Sequence, residues 1–484
     1  MGAVIVAFAR TRPGALCALA LPLVIAAALA PPAGAAPKPL RLGTAEPGYA
    51  SSDPARRAQL YRETADLGAR VVRISAFWFR IAPEEPAPGS DPTDPDNPAY
   101  DFSVLDAAVR DAETHGMDVV LTIQRAPKWA QGSDRPRIRL PDGVWRPDPQ
   151  AFGDFAGAVA TRYSGGFAPP AQPPLPRVGR YQAWNEPNLR NHLMPQYENG
   201  SRASVEIYRE LLNQAYPAIK DADPTATVIA AGTAPLESDG RRRVGPETFW
   251  RELLCLSPSL TAEPCPGGEQ ARFDIFDHHP ITRFDPAIPG PTDSVLISDF
   301  GDLTRILRAA ESEGTIAPRP TPRPVWATEI YWKTDPPAAG RGVAPELAAS
   351  YLQRAMQMLH RRGVSLLMNF FLIDAERVKG WDYRPGGLLY EDMRRKPSFK
   401  AFRFPFVADR VGRKRVELWG RSPASGKLRI QRRGKHGWKR LKEFRVRRGE
   451  VFRKRIDARG RVMLRAKVDG SKSLVYEQRG HWRG

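Results

Sequence analysis

Two glutamates stand out as residues that could act on one bond together. Glu186 lies in YQAWNEPN and Glu329 in VWATEIYW. Each follows a short apolar run, and each has aromatic neighbours: Trp184 in the first segment, Tyr331 and Trp332 in the second. A carboxyl in such a place is poorly hydrated, so its pKa rises unless a cation or hydrogen bonds hold the charge. Two carboxyls in unlike surroundings can be kept in opposite protonation states, one able to donate a proton and one able to attack as an anion. Splitting a glycosidic bond requires that pairing.

Such a pair works only if the fold brings both acids to one place. Apolar runs at 40–44, 71–75, 118–123, 180–184, 227–231, 273–278, 325–328 and 366–371 read as strands, several of them buried on both faces as in a parallel sheet. Amphipathic helical patterns alternate with them, at 53–67, 102–115, 148–163, 204–221 and 345–363. Asp53 and Ser204 have N-cap character, and Pro54 falls at the first helical position, where its missing N–H is no loss. Strands followed by helices predict an α/β fold, a (β/α)8 TIM barrel with inserted loops. An open doubly wound sheet is the rival, weakened because no G-x-G-x-x-G follows the first strand. In the barrel, Glu186 ends the fourth strand and Glu329 the seventh, at the face where barrel active sites stand.

With those positions fixed, W-N-E-P at strand four and T-E at strand seven, 143 residues later, resemble the clan A glycoside hydrolases, family 5 and family 39 among them. The resemblance covers about residues 38–405. Arg73 in VVRIS, Trp78 after it, the segment VVLTIQRAPKWA and FDHHP follow in the same order. It implies a retaining hydrolase of O-glycosyl compounds, with Glu186 as acid/base and Glu329 as nucleophile. It implies that Asn185 hydrogen-bonds the sugar 2-hydroxyl, that Arg73 holds Glu329 ionised and that Tyr331 hydrogen-bonds it. His279 would line the site on the same strand parity as Asp277, and Trp129 and Trp184 would stack on sugar rings. No metal and no organic cofactor is called for. Two departures stand out: Ile281 occupies the place of a tyrosine common on strand six, and Asn369 or Phe370 stands where relatives often carry a strand-eight tryptophan. A catalytically silent carbohydrate-binding barrel, anchored to the cell envelope by its basic tail, is the alternative reading.

The chain has 484 residues, 42% apolar and 26% charged, which excludes wholesale disorder. Its net charge of +20 is local: residues 401–484 hold 27 Lys and Arg against 7 Asp and Glu, so the other 400 residues carry 46 of each sign. From about Pro405 short alternating strands and glycine turns replace the α/β pattern. The expected domains are a signal peptide at 1–36, the barrel at 37–405 and a basic, sandwich-like antiparallel β-module at 406–484. The module's charge suits either a solvated face or an anionic cell-surface polymer; no nucleic-acid motif accompanies it. Of its tryptophans, Trp419 and Trp438, one is expected in the core. Arg10 and Arg12, the apolar run 15–30 and Ala33-Gly34-Ala35 read as a cleaved export signal, which leaves no transmembrane anchor and a secreted protein. Cys17 goes with it, and Cys255 and Cys265 are then expected to form a disulfide.

Overall fold

The computed structural model describes residues 39–138, 140–319, 322–374 and 385–478, and the expected export signal lies outside them. Eight parallel strands make one sheet: β1 (Arg41–Ala45), β2 (Val71–Phe77), β3 (Asp118–Gln124), β4 (Arg180–Ala183), β5 (Thr227–Ala230), β6 (Phe276–Asp277), β7 (Val325–Ile330) and β8 (Val364–Phe370). β1 pairs with both β2 and β8, and parallel bridges Ile229–Ile275 and Thr233–His278 join β5 to β6, so the ring closes. The helices α1 (Pro54–Leu67), α2 (Ser103–Thr114), α3 (Pro149–Arg162), α4 (Ala203–Ala222), α5 (Pro246–Leu253), α6 (Phe300–Glu313), α7 (Pro345–Arg361) and α8 (Pro397–Arg403) follow the strands in turn. This is the expected (β/α)8 barrel.

Local chemistry explains the boundaries. Asp53 caps α1 by accepting from the Ala55 N–H, and Asp148 caps α3 through Ala151, each ahead of a proline at the first helical position. Ser204 is not the cap of α4. The helix begins one residue earlier, Arg202 stands at the cap without a side-chain bond, and the Ser204 hydroxyl turns inward to Gln196. Among the described residues no helix is long and apolar enough to cross a membrane. Cys255 and Cys265 are disulfide-bonded, their Cα atoms 5.1 Å apart.

The barrel interior is built in storeys. Val71, Val120, Ile229, Ile275, Trp326, Leu366 and Met368 form a closed apolar cluster. Two residues further along their strands the inward positions turn polar: Arg73 after Val71, Thr122 after Val120, Asp277 after Ile275, Thr328 after Trp326. An apolar floor thus carries a buried polar storey, with the mouth of the barrel above it. A second, larger core fills the space between the strands and the helices.

Two antiparallel sheets follow after a two-residue connection. One contains β9 (Phe406–Arg410), β10 (Arg415–Arg421) and β13 (Val451–Asp457). The other contains β11 (Gly426–Gly434), β12 (Gly437–Val446), β14 (Val462–Val468), β15 (Ser471–Lys472) and β16 (Tyr476–Gln478). They share one apolar core, Phe406, Leu418 and Phe452 meeting Leu428, Ile430 and Leu464. The first sheet docks on the barrel. Asp409 pairs with Arg354 at 2.5 Å and accepts from Gln357 at 2.8 Å, Glu417 pairs with Arg361 at 2.7 Å, and Trp419, 1% exposed, donates to His360. Arg421 donates to the Leu40 carbonyl at 2.8 Å, and burial lowers its pKa to about 10. Trp419 is therefore the tryptophan in the core.

Candidate active site

Glu186 and Glu329 reach the same spot by different backbone devices. Beyond β4 the chain leaves the extended region: Trp184 has φ +73° and Glu186 φ +42°, left-handed values that non-glycine residues adopt only under constraint. The constraint is visible. The Glu186 N–H donates to Gly232 O at 3.0 Å, and the Trp184 indole, fully buried against Phe152, donates to His192 O at 3.0 Å. Glu329 is turned inward by a bulge: Ala327 pairs with Leu367 and Ile330 with Asn369, so β7 has one residue more than β8 over this stretch. Thr328 and Glu329 can then both join the buried polar network. Strand parity alone would send them to opposite faces.

One oxygen of each carboxyl and one nitrogen of His279 lie within 4.8 Å of one another. His279 Nδ1 is 3.0 Å from Glu186 Oε1 and 3.7 Å from Glu329 Oε2; its Nε2 is 3.0 Å from Thr328 Oγ1 and 3.6 Å from Asp277 Oδ2. Burial alone would lower the His279 pKa, but Glu329, Asp277 and Glu186 together outweigh it and raise it to about 10. The ring is thus an imidazolium that donates from both nitrogens. It fits because position 232 is glycine: a Cβ there would come within 2.2 Å of His279 Nε2.

Arg73 is the second buried cation. It donates to Glu329 Oε1 at 2.5 Å, Asn185 Oδ1 at 2.5 Å, Gln182 Oε1 at 2.7 Å and Thr122 Oγ1 at 2.8 Å. Burial pushes the Glu329 carboxyl above its ordinary range, against the pull of His279 and Arg73 and with the repulsion of Glu186 added. Arg73 therefore sits where expected but does not bring the pKa down to that of a solvated carboxylate; desolvation is the larger effect. Asp277 is held below its ordinary range: burial opposes ionisation, and the His279 contact and the Thr328 bond overcome it.

The Arg73 bond fixes the Asn185 amide. Its oxygen faces the guanidinium, so its nitrogen donates to His192 Nδ1 at 3.2 Å, which leaves His192 Nε2–H to donate to Glu186 Oε2 at 3.2 Å. With Arg73 and His279 cationic and Glu186, Glu329 and Asp277 ionised, the cluster sums to −1. One further proton neutralises it, and a site of this composition can hold that proton at a carboxyl.

Several of the expected site residues are packed or bonded within the protein. Arg73 and His279, 6% and 0% exposed, donate to other side chains of the cluster. Trp184, at 0%, is core and offers no face to a sugar. Trp129 keeps part of its ring exposed while its indole N–H bonds Ala82 O and its edge meets Trp78. Tyr331 is buried against Phe370 and Phe371. The Asn369 amide ties together Phe370 O and Phe371 O at the end of β8. Asp374 is bound to Lys396 in a fully buried pair. His278, next to His279, is a core residue: Nε2 donates to Val295 O, Nδ1 accepts from Thr233, and burial lowers its pKa to about 4.

Gln182, Thr122 and Thr328 were not singled out from the sequence. Each is a polar residue within a largely apolar strand, Gln182 four before Glu186, Thr122 four after Asp118 and Thr328 next to Glu329, a pattern too common to mark them. Arg125, at the end of β3, was missed as well; it is half-buried with φ +69° and lies within electrostatic reach of Glu186. Glu186, His279 and Glu329 are also the one trio among the described residues arranged to share a cation. A metal there would have to displace the proton that His279 holds.

No protein-family model matches the sequence, and no curated protein matches it. Solved structures do. A family 39 glycoside hydrolase from the gut symbiont Bacteroides cellulosilyticus WH2 is similar over 87% of this chain and 81% of its own, with 18% identity and a TM-score of 0.53. A monomeric beta-xylosidase from Caulobacter crescentus CB15 is similar over 88% and 95%, with 16% identity and a TM-score of 0.51. A family 39 beta-xylosidase from Caulobacter crescentus gives 82% and 84%, 18% and 0.50. At these identities the likeness is one of fold.

Proposed function

We propose that the chain is a secreted, retaining glycoside hydrolase of the clan A type, which cleaves O-glycosidic, β-configured bonds of a poly- or oligosaccharide by double displacement. The observation that carries this reading is the approach of the Glu186 and Glu329 oxygens to within 4.8 Å. Retaining pairs stand about 5–5.5 Å apart, and inverting pairs leave about 6.5–9.5 Å for a water. The similarity in fold to family 39 enzymes supports the same chemistry, and the disulfide suits an exported protein.

In this reading Glu186 carries the cluster's additional proton and delivers it to the leaving oxygen. Glu329, facing the Arg73 guanidinium, attacks the anomeric carbon. The glycosyl–Glu329 ester is then hydrolysed by a water that Glu186 deprotonates. Asn185 has a second N–H with no protein acceptor among the described residues, and it would donate to the sugar 2-hydroxyl. His279 holds Glu186 in line and stabilises its anion after the proton has left.

The test uses aryl glycosides with good leaving groups. Glu186→Ala should retain the first step, and added azide should restore turnover with a glycosyl azide of retained configuration. Glu329→Ala should turn over no glycoside. Product of inverted configuration from the wild-type protein, seen by NMR at early times, would rule the mechanism out.

A further inference from the structure

The C-terminal module presents two unlike sheets. The docked sheet holds Asp409 and Glu417 against the barrel cations Arg354 and Arg361. The other sheet has a largely exposed outer face along β12–β11–β14–β15 that carries cations in register. Across one row stand Lys472, Lys467, Arg429 and Glu443, each directly opposite the next on the neighbouring strand. A second row is Arg465, Gln431 and Arg440; a third pairs Lys427 with Arg445; a fourth pairs Arg433 with Trp438. Along these four strands that is eight cations and one acid on one face; a second acid, Glu477 on the edge strand β16 opposite Met463, is paired with Arg461. Glu443 accounts for Arg429 and Arg440, and no acid among the described residues pairs with Lys427, Arg433, Arg445, Arg465, Lys467 or Lys472.

Two features separate this from an ordinary solvated face. Like charges directly opposite in a sheet are destabilising, yet the Lys427–Arg445 and Arg429–Lys467 pairs hold that register. Trp438 also orders the guanidinium groups: Arg465 stacks on its ring at 4.0 Å from the centroid, and Arg433 approaches it at 5.7 Å. Arg465 is further fixed by donating to Gln431 Oε1 at 2.9 Å. The array is therefore regular and partly preorganised, with forked donors that match carboxylate or sulfate groups.

We infer that this sheet face is a binding surface for a linear acidic polysaccharide, whose repeating anionic groups lie across the rows of Arg and Lys. A nucleic acid is the poorer fit. Its single strands require open aromatic platforms, and Trp438 is already covered by Arg465. Its duplex grooves are entered by helices, two-stranded ribbons or arms, and this face is the side of a four-stranded sheet. The inference does not depend on the barrel chemistry, since its readout is binding alone.

The experiment is affinity electrophoresis of the full-length mature protein in native gels. The gels contain polygalacturonate (carboxylate), heparin (sulfate) or dextran (neutral). Retardation by at least one polyanion, relieved by salt, and none by dextran is expected. Arg433→Glu/Arg465→Glu should weaken retention about tenfold or more, whereas Arg62→Glu/Arg305→Glu, the same charge change on barrel helices, should leave it within about twofold. Lys427→Glu gives a readout that misfolding cannot imitate. It should lower retention and raise Tm together, because it turns a like-charge pair with Arg445 into an attractive one. Equal weakening by the barrel double variant, no retention by either polyanion, or displacement by a short DNA duplex at lower concentration than by free polygalacturonate would each overturn the assignment.

Discussion

The barrel mouth and the outer sheet of the module use charge in opposite ways. In the mouth the charges are buried or nearly so and are matched to named partners: Arg73 with Glu329, His279 with Glu186, Asp277 and Glu329. On the sheet the charges are exposed, repeated and mostly of one sign. The first arrangement depends on single atoms and tolerates no exchange; the second depends on density and should tolerate many. Burial makes the difference, since a buried charge must be satisfied where it stands and an exposed one is shared with water and salt.

The sharpest way to break this contrast is Glu329→Ala, which should reduce kcat/KM on any cleaved glycoside by roughly 10⁴-fold or more. Single neutral replacements on the outer sheet should leave that parameter unchanged. Next comes Arg73→Met. Removing one partner of a buried pair destabilises by about 3–5 kcal/mol, so chemical denaturation should show a large loss. Without the guanidinium the Glu329 pKa should rise further, so the acidic limb of kcat/KM should move to higher pH.

A smaller effect follows from His279. Its pKa is raised in the fold, from 6.5 to about 10. The stabilisation this represents is complete below about pH 6.5 and is lost as pH rises toward 10. His278 runs the other way: lowered to about 4, its contribution is complete above about pH 6.5 and is lost as pH falls. Denaturation midpoints measured from pH 6.5 to 10 should therefore decline in the wild type and stay flatter in His279→Gln, and a parallel decline in both proteins would show that the imidazolium is not the source. Smallest of all should be Arg429→Ala, which breaks a pair whose side chains are 46% and 26% exposed. Exposed pairs contribute about 0–1 kcal/mol, so Tm should hardly move.

The same contrast explains what could be read from the chain before its structure. The strands of the barrel were legible because both faces are buried, which produces apolar runs such as VVRIS and DVVLTIQ. The two glutamates were legible because aromatic neighbours at a strand end advertise a dehydrated acid. The supporting network was not. Gln182, Thr122 and Thr328 are commonplace residues whose importance lies in which barrel storey they occupy, and the β7 bulge that lets Thr328 and Glu329 share that storey has no sequence mark. Trp184 was read as a sugar platform because aromatics abound near such sites, yet its positive φ sends the ring into the core. The adjacent histidines were a harder case still: opposite strand parity gives one three carboxylates and the other a threonine and a carbonyl.

The way the module is joined to the barrel has a consequence for how the molecule would search a surface. Only residues 404–405 separate α8 from β9, and Arg421 is bonded to Leu40, just before β1, at the end of the barrel opposite Glu186 and Glu329. There is no tether whose length could tune an effective concentration. A polymer strand held by the outer sheet is held at a fixed offset from the mouth, so no linker motion can feed that same strand inward. What capture changes is dimensionality. The protein stays in the layer to which the strand belongs, and its mouth meets neighbouring chains by lateral diffusion instead of by repeated arrival from bulk solution.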